Sequence, residues 1–392
     1  MIHKSKNICV VAIVVLLLLS IVSPITYAEN IEENKLDVEA RSGLLMEPNS
    51  GKILFEKNIN EKFEPASVTK IMTMLLTMEA INSGKITMND KVTVSENAKK
   101  MGGSTMLLDT GEIRTVEELL KGVAIASGND AAVALGEYLE GSVEAFVGKM
   151  NARAKELGMT NTTFKNCTGL PEEGHLMSAY DISIMSRELL KYKDILKYTG
   201  TYMETISEGR KSPIEMVNHN KLVRFFNGCD GLKTGYTSKA KYCISATATR
   251  DDVRMLTVIV GAPTYKIRNR DASMLLNYGF GKFKSICIFK KDDDVCKIKF
   301  DKSGKKFVMA KACEDFKVTL ERDRDENSID KKVTIDKDKK VFKAGEKIGV
   351  CEFFMNEKSI GKIEVYSDRD MKVGGFFSRL GNNIKSLFDF SI

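Results

Sequence analysis

The chain has 392 residues, of which 43% are hydrophobic and 29% charged, and its formal net charge is +7. This is enough apolar material for a large core and a smaller second domain. The basic residues are spread along the chain without interleaved aromatic residues, which argues against nucleic-acid binding. No Cys/His set has the spacing of a structural zinc site, so we predict neither a metal nor another cofactor.

The first 28 residues have the three-part layout of a secretory signal peptide. MIHKSKN is short and basic, ICVVAIVVLLLLSIV is an unbroken apolar run, and SPITYA ends in small residues. The apolar run is shorter than the ~20 residues that a spanning helix needs, so we expect cleavage after Ala28 rather than an uncleaved anchor. Cleavage would remove Cys9 and leave seven cysteines, an odd number that cannot all pair with one another.

Residues 29–284 predict strands at both ends of a helical middle. Residues 38–57 indicate a β-hairpin with its turn at 49–51. Residues 66–83 are apolar almost all round, which is typical of a central buried helix ending at Gly84. Three further helices are predicted at 115–126, 142–157 and 178–192, with another restarting after the SGND segment at 127–130. Residues 229–262 indicate three antiparallel strands, followed by a helix at 268–278.

Strands from the two ends of this region can form one sheet, so we predict an α/β (α+β) sandwich in which an antiparallel sheet is covered by helices. The predicted domains are a signal peptide at 1–28, the sandwich at 29–284, a β-rich domain at 285–370 and an amphipathic helix at 371–392. Short alternating apolar runs and charged turns indicate the β-rich domain.

A serine and a lysine three positions apart open the predicted buried helix. Ser67 and Lys70 lie in PASVTKIMT, and side chains at this spacing are neighbours on a helix. A serine hydroxyl becomes a good nucleophile when a base takes its proton, and a lysine amine can do so if burial or a nearby cation lowers its pKa. Taken alone the pattern is weak, since Lys70 could be a solvated helix residue.

Two further tripeptides strengthen the interpretation. Ser127-Gly128-Asn129 lies between two predicted helices, where polar side chains can project into a cleft. Lys233-Thr234-Gly235 opens a predicted edge strand and supplies a second cation, a hydroxyl and room for a substrate backbone. The three motifs together resemble the set S-x-x-K, S-D-N and K-T-G of penicillin-binding proteins and class A β-lactamases, with S-G-N here in place of S-D-N.

With these motifs, the chain resembles the low-molecular-mass penicillin-binding proteins, which are serine-type D-alanyl-D-alanine carboxypeptidases of peptidase family S11. The segments PASVTKIMT, GVAIASGNDAAVALGEY, LGMTNTTFKN and DGLKTGYT carry the resemblance, which covers nearly the whole mature chain. It implies a β-lactamase/transpeptidase-like fold with a helical subdomain. It also implies an enzyme without a cofactor that removes the terminal D-alanine from peptidoglycan stem peptides and is acylated by β-lactam antibiotics.

The resemblance also implies a role for each site residue. Ser67 is the nucleophile, Lys70 the base for acylation, and Ser127 the relay that passes a proton to the leaving D-alanine. Substrate is bound by the remaining residues, namely Asn129 at the substrate amide, Lys233, Thr234 and Arg268 at the terminal carboxylate, Gly235 through its missing side chain and Tyr236 through its backbone N–H. In relatives a histidine often occupies the position of Tyr236, so any role that needs a titrating ring there is in doubt.

Three alternatives remain open. A class A β-lactamase needs a glutamate that activates the deacylating water, and Glu172 and Glu173 lie in the right part of the chain, but the pattern E-x-x-L-N is absent. A transpeptidase usually has a longer chain with an additional N-terminal module. A peptidoglycan-binding module without activity has no need of Ser67, Lys70 and Lys233 together.

The last residues, VGGFFSRLGNNIKSLFDFSI, predict an amphipathic helix that lies in a membrane interface. Its apolar side consists of Phe376, Phe377, Leu380, Ile384, Leu387 and Phe388. The segment is too short to span a bilayer. Relatives of this architecture are held on the outer face of the cytoplasmic membrane by such a tail, and we expect the same extracytoplasmic, peripheral attachment here. The alternative is a terminal helix packed on the β-rich domain.

We predict that the mature protein co-sediments with anionic liposomes, because apolar burial and basic residues both favour the interface. A chain ending at Asp370 should stay in the supernatant and hydrolyse a free peptide normally. Liposome sedimentation with a matched activity assay checks both. Equal liposome binding by the shortened chain would show that the tail is not the anchor.

Overall fold

The central sheet is built from the two strand-forming regions at the ends of the predicted sandwich. The structure is a computed structural model that describes residues 36–206, 212–299, 307–323, 329–335, 341–355 and 357–372. The predicted signal peptide therefore lies outside the described residues, as does the predicted tail helix from residue 373 onward. The compact unit considered below begins at Val38.

The strands of the described ranges, in chain order, are β1 (Ser42–Glu47), β2 (Lys52–Lys57), β3 (Lys62–Phe63), β4 (Lys91–Thr93), β5 (Ile113–Thr115), β6 (Met177–Ser178), β7 (Met203–Ile206), β8 (Ile214–Val217), β9 (Cys229–Thr237), β10 (Lys241–Arg250), β11 (Val253–Ala262), β12 (Phe283–Phe289), β13 (Asp294–Lys299), β14 (Phe307–Ala312), β15 (Phe316–Glu321), β16 (Ile329–Ile335), β17 (Val341–Phe342), β18 (Lys347–Met355), β19 (Lys358–Ser367) and β20 (Met371–Lys372).

The α-helices of the same ranges are α1 (Lys70–Asn82), α2 (Glu96–Lys99), α3 (Val116–Lys121), α4 (Asn129–Glu140), α5 (Val143–Glu156), α6 (Ala179–Leu189), α7 (Ile195–Thr199), α8 (Leu222–Phe225) and α9 (Tyr265–Lys282). A 3₁₀ turn at Ala66–Thr69 precedes α1, and a π-helical segment at Gly122–Ala126 follows α3.

The sheet of the sandwich has the strand order β2-β1-β11-β10-β9, and all of its pairs are antiparallel. Strand β9 is therefore an edge strand. Helix α9 covers one face, where Gly279 lies against the side chain of Met255. Helix α6 lies on the other face, where the hydroxyl groups of Ser186 and Ser245 are 2.8 Å apart. This arrangement confirms the fold class that the sequence predicts.

Helix α1 is the central buried helix that its all-round apolar sequence predicts. Every residue from Lys70 to Met78 is buried, because α1 packs against α4, α6 and the edge strand β9. The sequence placed Ser67 in the first turn of this helix, and that placement was wrong. Ser67 lies in the preceding 3₁₀ turn, since the Thr69 hydroxyl donates to the carbonyl of Ala66 and tightens the backbone.

Other helix boundaries follow local sequence signals. Thr115 and Glu118 form the predicted capping box at the start of α3. Ser178 caps α6 by accepting a hydrogen bond from the backbone N–H of Asp181. Helix α9 begins at Tyr265, three residues before the predicted start, because Thr264 is its N-cap and accepts from the backbone N–H of Ile267.

The β-rich domain has its own core. Its largest sheet has the order β13-β14-β19-β18-β16, and the smaller pairs are β12-β15 and β17-β20. The rings of Phe316 and Phe353 stack at 4.2 Å in this core. Met371–Lys372, which the sequence assigned to the tail helix, instead form β20 because they pair with Val341–Phe342.

The described part of the chain contains seven cysteines, and all of them are free thiols. Within these ranges, no helix combines the length and the apolar composition that crossing a bilayer requires. The described residues include no group of three or more His, Cys, Asp or Glu side chains that could hold a metal ion.

Candidate active site

The Ser67 turn is held in a backbone conformation that few residues adopt. Ala66 has a φ of 48°, in the left-handed region, immediately before Ser67. Gly169 lies directly against this turn, and a Cβ atom there would meet the carbonyl oxygen of Ala66 at 1.8 Å. Only glycine fits at that position. The loop that contains Gly169 therefore fixes the position of Ser67 by close backbone contact.

A buried histidine supports the same turn. The Nε2 atom of His175 is 3.0 Å from the hydroxyl oxygen of Thr69, and the ring packs edge-on against Phe164. Burial lowers the pKa of His175 to about 4. The ring is therefore neutral at physiological pH, and it joins the Ser67 turn to the segment that contains Gly169.

The Lys70 amine lies among three oxygen atoms. Its Nζ atom is 3.0 Å from Ser67 Oγ, 2.5 Å from Asn129 Oδ1 and 2.7 Å from the carbonyl oxygen of Thr168. The last two oxygens can only accept hydrogen bonds. A neutral amine has two N–H groups, which these two oxygens would satisfy, and one lone pair, which then faces the Ser67 hydroxyl. This is the geometry that proton transfer from Ser67 to Lys70 requires.

The surroundings of Lys70 favour the neutral amine. Its side chain is fully buried, and this burial lowers its pKa to about 7, against the smaller opposing effects of Cys167 and Asp130. The sequence attributed the low pKa to burial and to the charge of Lys233. Burial is the dominant cause in the structure.

Lys233 is a second buried lysine beside the first. Its pKa is lowered well below the ordinary value by burial and then by the positive charges of Lys70 and Arg268. The Nζ atom is 2.9 Å from the carbonyl oxygen of Thr234. Because like charges repel in a dry site, protonation of either lysine disfavours protonation of the other.

The S-G-N segment is placed by the turn before α4. Ser127 is buried in a left-handed conformation with a φ of 60°, and its hydroxyl bonds neither Ser67 nor Lys70 among the described residues. Asn129 begins α4, and its Nδ2 group donates to the carbonyl of Gly102 at 2.6 Å while Oδ1 accepts from Lys70. The structure therefore gives Asn129 a contact with the base, and its contact with the substrate amide stays a prediction.

Strand β9 carries the K-T-G motif past the Ser67 turn. The motif occupies the middle of β9 rather than its start, since the strand begins at Cys229. A Cβ atom at Gly235 would lie 2.9 Å from the backbone nitrogen of Ser67. The register pairs Lys233 with Ser245 on the α6 face of the sheet. Thr234 and Tyr236 consequently point to the α9 face, because successive side chains alternate.

Two arginines on α9 have contrasting environments. Arg268 is only 6% exposed, and its guanidinium bonds Asn269 Oδ1. Within the described ranges no carboxylate pairs with it. Burial lowers the pKa of Arg268 to about 10. Arg270, by contrast, is exposed and pairs with Glu39 and Asp271. A buried guanidinium without an acidic partner is a natural site for a substrate carboxylate.

One cleft residue, His219, was missed by the sequence interpretation. Partial burial and then the charges of Lys233, Lys221, Lys70 and Arg268 lower the pKa of His219 to about 4, although part of the side chain is exposed to solvent. Its neighbours fix it in place, since Asn218 donates to the carbonyls of Thr199 and Thr201 and Asn220 donates to the carbonyl of Gly231 on β9. In the sequence, the asparagine on each side of His219 was the signal that could have indicated a turn held by side-chain hydrogen bonds.

Comparison with known proteins agrees with this geometry. Residues 28–264 match the Peptidase S11 family, described as D-alanyl-D-alanine carboxypeptidase, and residues 283–373 match the C-terminal domain of penicillin-binding protein 5. The chain is 44% identical to the D-alanyl-D-alanine carboxypeptidase DacF of Bacillus subtilis, over 88% of this chain and 90% of that one. It is 34% identical to DacC of Escherichia coli, over 93% and 92% of the two chains.

A solved structure shows the same fold. The crystal structure of a peptidoglycan synthesis regulatory factor (PBP3) from Streptococcus pneumoniae superposes with a TM-score of 0.70 at 27% identity, over 85% of this chain and 99% of that one. The family match and the extent of these alignments confirm the resemblance that the three motifs indicate. The chain belongs to the D-alanyl-D-alanine carboxypeptidase family, peptidase family S11.

Proposed function

We propose that this chain is a serine-type D-Ala-D-Ala carboxypeptidase that removes the terminal D-alanine from peptidoglycan stem peptides through an acyl-enzyme on Ser67. The observation that carries the proposal is the contact between Lys70 Nζ and Ser67 Oγ at 3.0 Å, with two oxygens that can only accept hydrogen bonds available to the two N–H groups of the neutral amine. A buried amine with a pKa of about 7 is neutral in a substantial fraction of molecules at neutral pH, and the neutral form can accept the Ser67 proton.

Acylation begins when the Ser67 hydroxyl gives its proton to the neutral Lys70 amine. The Ser67 oxygen attacks the carbonyl carbon of the D-Ala–D-Ala bond, and the oxygen of the tetrahedral intermediate becomes negative. Backbone N–H groups of Ser67 and Tyr236 stabilise that oxygen. The close approach of Gly235 to the Ser67 nitrogen supports this assignment, because Gly235 immediately precedes Tyr236 in the chain.

The intermediate then expels the leaving group. The amine of the departing D-alanine receives the proton from Lys70 through Ser127, and an ester remains on Ser67. Water adds to the ester carbonyl and releases the shortened peptide, which restores the Ser67 hydroxyl. A β-lactam follows the same first step, but its amine stays attached to the acyl group and blocks the site.

The carboxylate at the end of the substrate is recognised by the cations of the cleft. Arg268 offers a planar fork of N–H donors, and Thr234 offers a hydroxyl on the same face of the sheet. Lys233 adds positive charge without needing a direct contact. Together they favour a substrate that ends one residue after the scissile bond.

Three alternatives are less well supported. Glu172 is exposed and accepts a hydrogen bond from Asn166, so it is not held beside Ser67 as a β-lactamase water-activating base. A transpeptidase would use the same acyl-enzyme but pass it to an amine, so the products distinguish the two reactions. A protein that only binds peptidoglycan would form no adduct with penicillin.

We also propose that the enzyme acts outside the cytoplasmic membrane. The three-part layout of residues 1–28 supports secretion, and the apolar side of residues 373–392 supports peripheral attachment to the outer face. This location places the enzyme beside its peptidoglycan substrate.

The proposal is tested by mass spectrometry after incubation with labelled penicillin. We expect a stable adduct on Ser67 and stoichiometric D-alanine release from a diacylated L-Lys-D-Ala-D-Ala peptide. Ser67→Ala should lose both and keep the thermal transition of the parent protein. Rapid penicillin turnover would indicate a β-lactamase, and an adduct that persists in Ser67→Ala would identify another nucleophile.

Lys70→Arg tests whether the amine acts as a base. A guanidinium does not release its proton in a protein, so Lys70→Arg should lower the acylation rate about as much as Lys70→Ala, by roughly 10³-fold. In the parent enzyme the rate should rise with pH through about 7 and then level off, because the neutral amine forms as the pH passes its pKa. Stopped-flow measurement of the acylation rate from about pH 5 to about pH 9, which brackets the pKa of Lys70, checks both the variants and the pH dependence. Substantial activity in Lys70→Arg would indicate a purely electrostatic role.

Arg268 and Arg270 form a matched pair of variants on one helix. Arg268→Ala should lower kcat/KM for the D-Ala-D-Ala peptide by about 100-fold, since a charge-assisted hydrogen-bonded pair is lost. Arg270→Ala should change it by less than about threefold, because exposed ion pairs contribute little. Steady-state kinetics on both variants give the comparison. Small, equal losses would refute carboxylate binding by Arg268.

A further inference from the structure

Three tyrosine rings stand beside the K-T-G motif on the α9 face of the sheet. Tyr236 and Tyr242 are paired across β9 and β10, and their ring centroids are 4.4 Å apart. Tyr242 and Tyr265, the first residue of α9, are 6.3 Å apart with their rings at 63°. We call this row of rings the tyrosine wall. Tyr236 and Tyr265 are 55% and 53% exposed, so half of each ring is free to meet a ligand.

The tyrosine wall is continuous with the carboxylate site. Arg268 lies three residues after Tyr265 on α9, a spacing that makes them neighbours on the helix surface. Tyr242, whose ring contacts that of Tyr265, also lies near enough to the Arg268 guanidinium to influence its pKa. At the other end of the wall, Tyr236 follows Gly235, which contacts the Ser67 backbone. The rings therefore run from the nucleophile turn to the guanidinium.

We propose that the tyrosine wall determines where a substrate must end, so that the enzyme cleaves a terminal D-Ala–D-Ala bond and rejects the same bond inside a longer chain. This inference rests on the proposed function. A substrate whose carboxylate meets Arg268 stops at the rings. A substrate with one more residue has to place that residue where the rings stand.

The rings suit this role because they resist displacement. Tyr236 is held against Tyr242 by ring packing, which contributes beyond simple area burial. Tyr242 is itself half-buried between Tyr236 and Tyr265. Moving Tyr236 aside would break its stacking and expose Tyr242. Arg268 then selects for a substrate with a terminal carboxylate, and Tyr236 separately excludes a substrate with an additional residue.

Three peptides with the same scissile bond separate these effects. They are a diacylated L-Lys-D-Ala-D-Ala with a free carboxylate, the same peptide as its C-terminal amide, and the same peptide extended as a glycinamide. The first and second differ in charge at the C-terminus. The second and third are both uncharged there and differ only in bulk. In each case water hydrolyses the D-Ala–D-Ala bond, and the released amine component is measured.

We expect Tyr236→Ala to raise the ratio of kcat/KM for the glycinamide peptide to that for the amide by about tenfold, as for other steric selections in a pocket. Tyr236→Phe keeps the ring and should keep the ratio. Tyr138→Ala, at an exposed tyrosine of α4 that contacts Asp90, should change neither the ratio nor the activity. Arg268→Ala should reduce the difference in kcat/KM between the free-acid peptide and the amide peptide. It should leave the ratio of kcat/KM for the glycinamide peptide to that for the amide unchanged.

An unchanged or lower glycinamide-to-amide ratio in Tyr236→Ala would overturn the inference. Penicillin labelling of Ser67 and the thermal transition establish that the variant is folded. If it is not, Tyr265→Ala removes the exposed outer ring and gives the same readout, with a raised ratio expected and an unchanged one contradicting the inference. A parent enzyme that releases no D-alanine from the free-acid peptide would refute the proposed function itself, whereas an active parent with unaltered ratios in the variants would refute only the tyrosine wall.

Discussion

The exclusion of water from the Lys70 amine is the constraint on which the rest of the site depends. A lysine in water keeps its proton at neutral pH and cannot accept one from serine. Burial reverses this preference, at a cost to folding that the surrounding core must offset. The all-round apolar sequence of α1 supplies the dry environment, and the carbonyl of Thr168 and the side chain of Asn129 supply acceptors for the amine. With Ser67 opposite the remaining lone pair, the buried lysine has the geometry of the base that we propose.

This requirement explains features that have no direct contact with a substrate. Gly169 allows a loop to approach the carbonyl of Ala66, so that the Thr168 carbonyl reaches Lys70. The carboxylate of Asp130 accepts from the backbone N–H groups of Met106 and Leu108 and so orders the segment beside Asn129. Its negative charge is also close enough to Lys70 to oppose the lowering of the amine pKa. Burial outweighs the opposing effects of Cys167 and Asp130, and the pKa falls to about 7.

The sequence predicted the architecture and the motif residues better than their contacts. The sheet, the buried helix and the capping box at Thr115 follow from periodicity and local capping, which are properties of neighbouring residues. The position of the Ser67 turn depends in addition on close backbone contact with Gly169, which lies about a hundred residues away, beyond the reach of local sequence signals. Asn129 was expected at the substrate amide, and its contact with Lys70 depends on how α4 packs against α1. His219 was missed because its local signal, the asparagine on each side, does not reveal that the fold brings Lys233, Lys70 and Arg268 near it.

The pKa of Lys70 tests this account most directly. Protein labelled with ¹³C and ¹⁵N in lysine can be titrated by NMR, and the Lys70 signal is assigned by its absence in Lys70→Arg. The account predicts a midpoint at about 7, well below the ordinary value of 10.5. A midpoint near 10.5, with the amine charged throughout the active pH range, would contradict the role of Lys70 as the base.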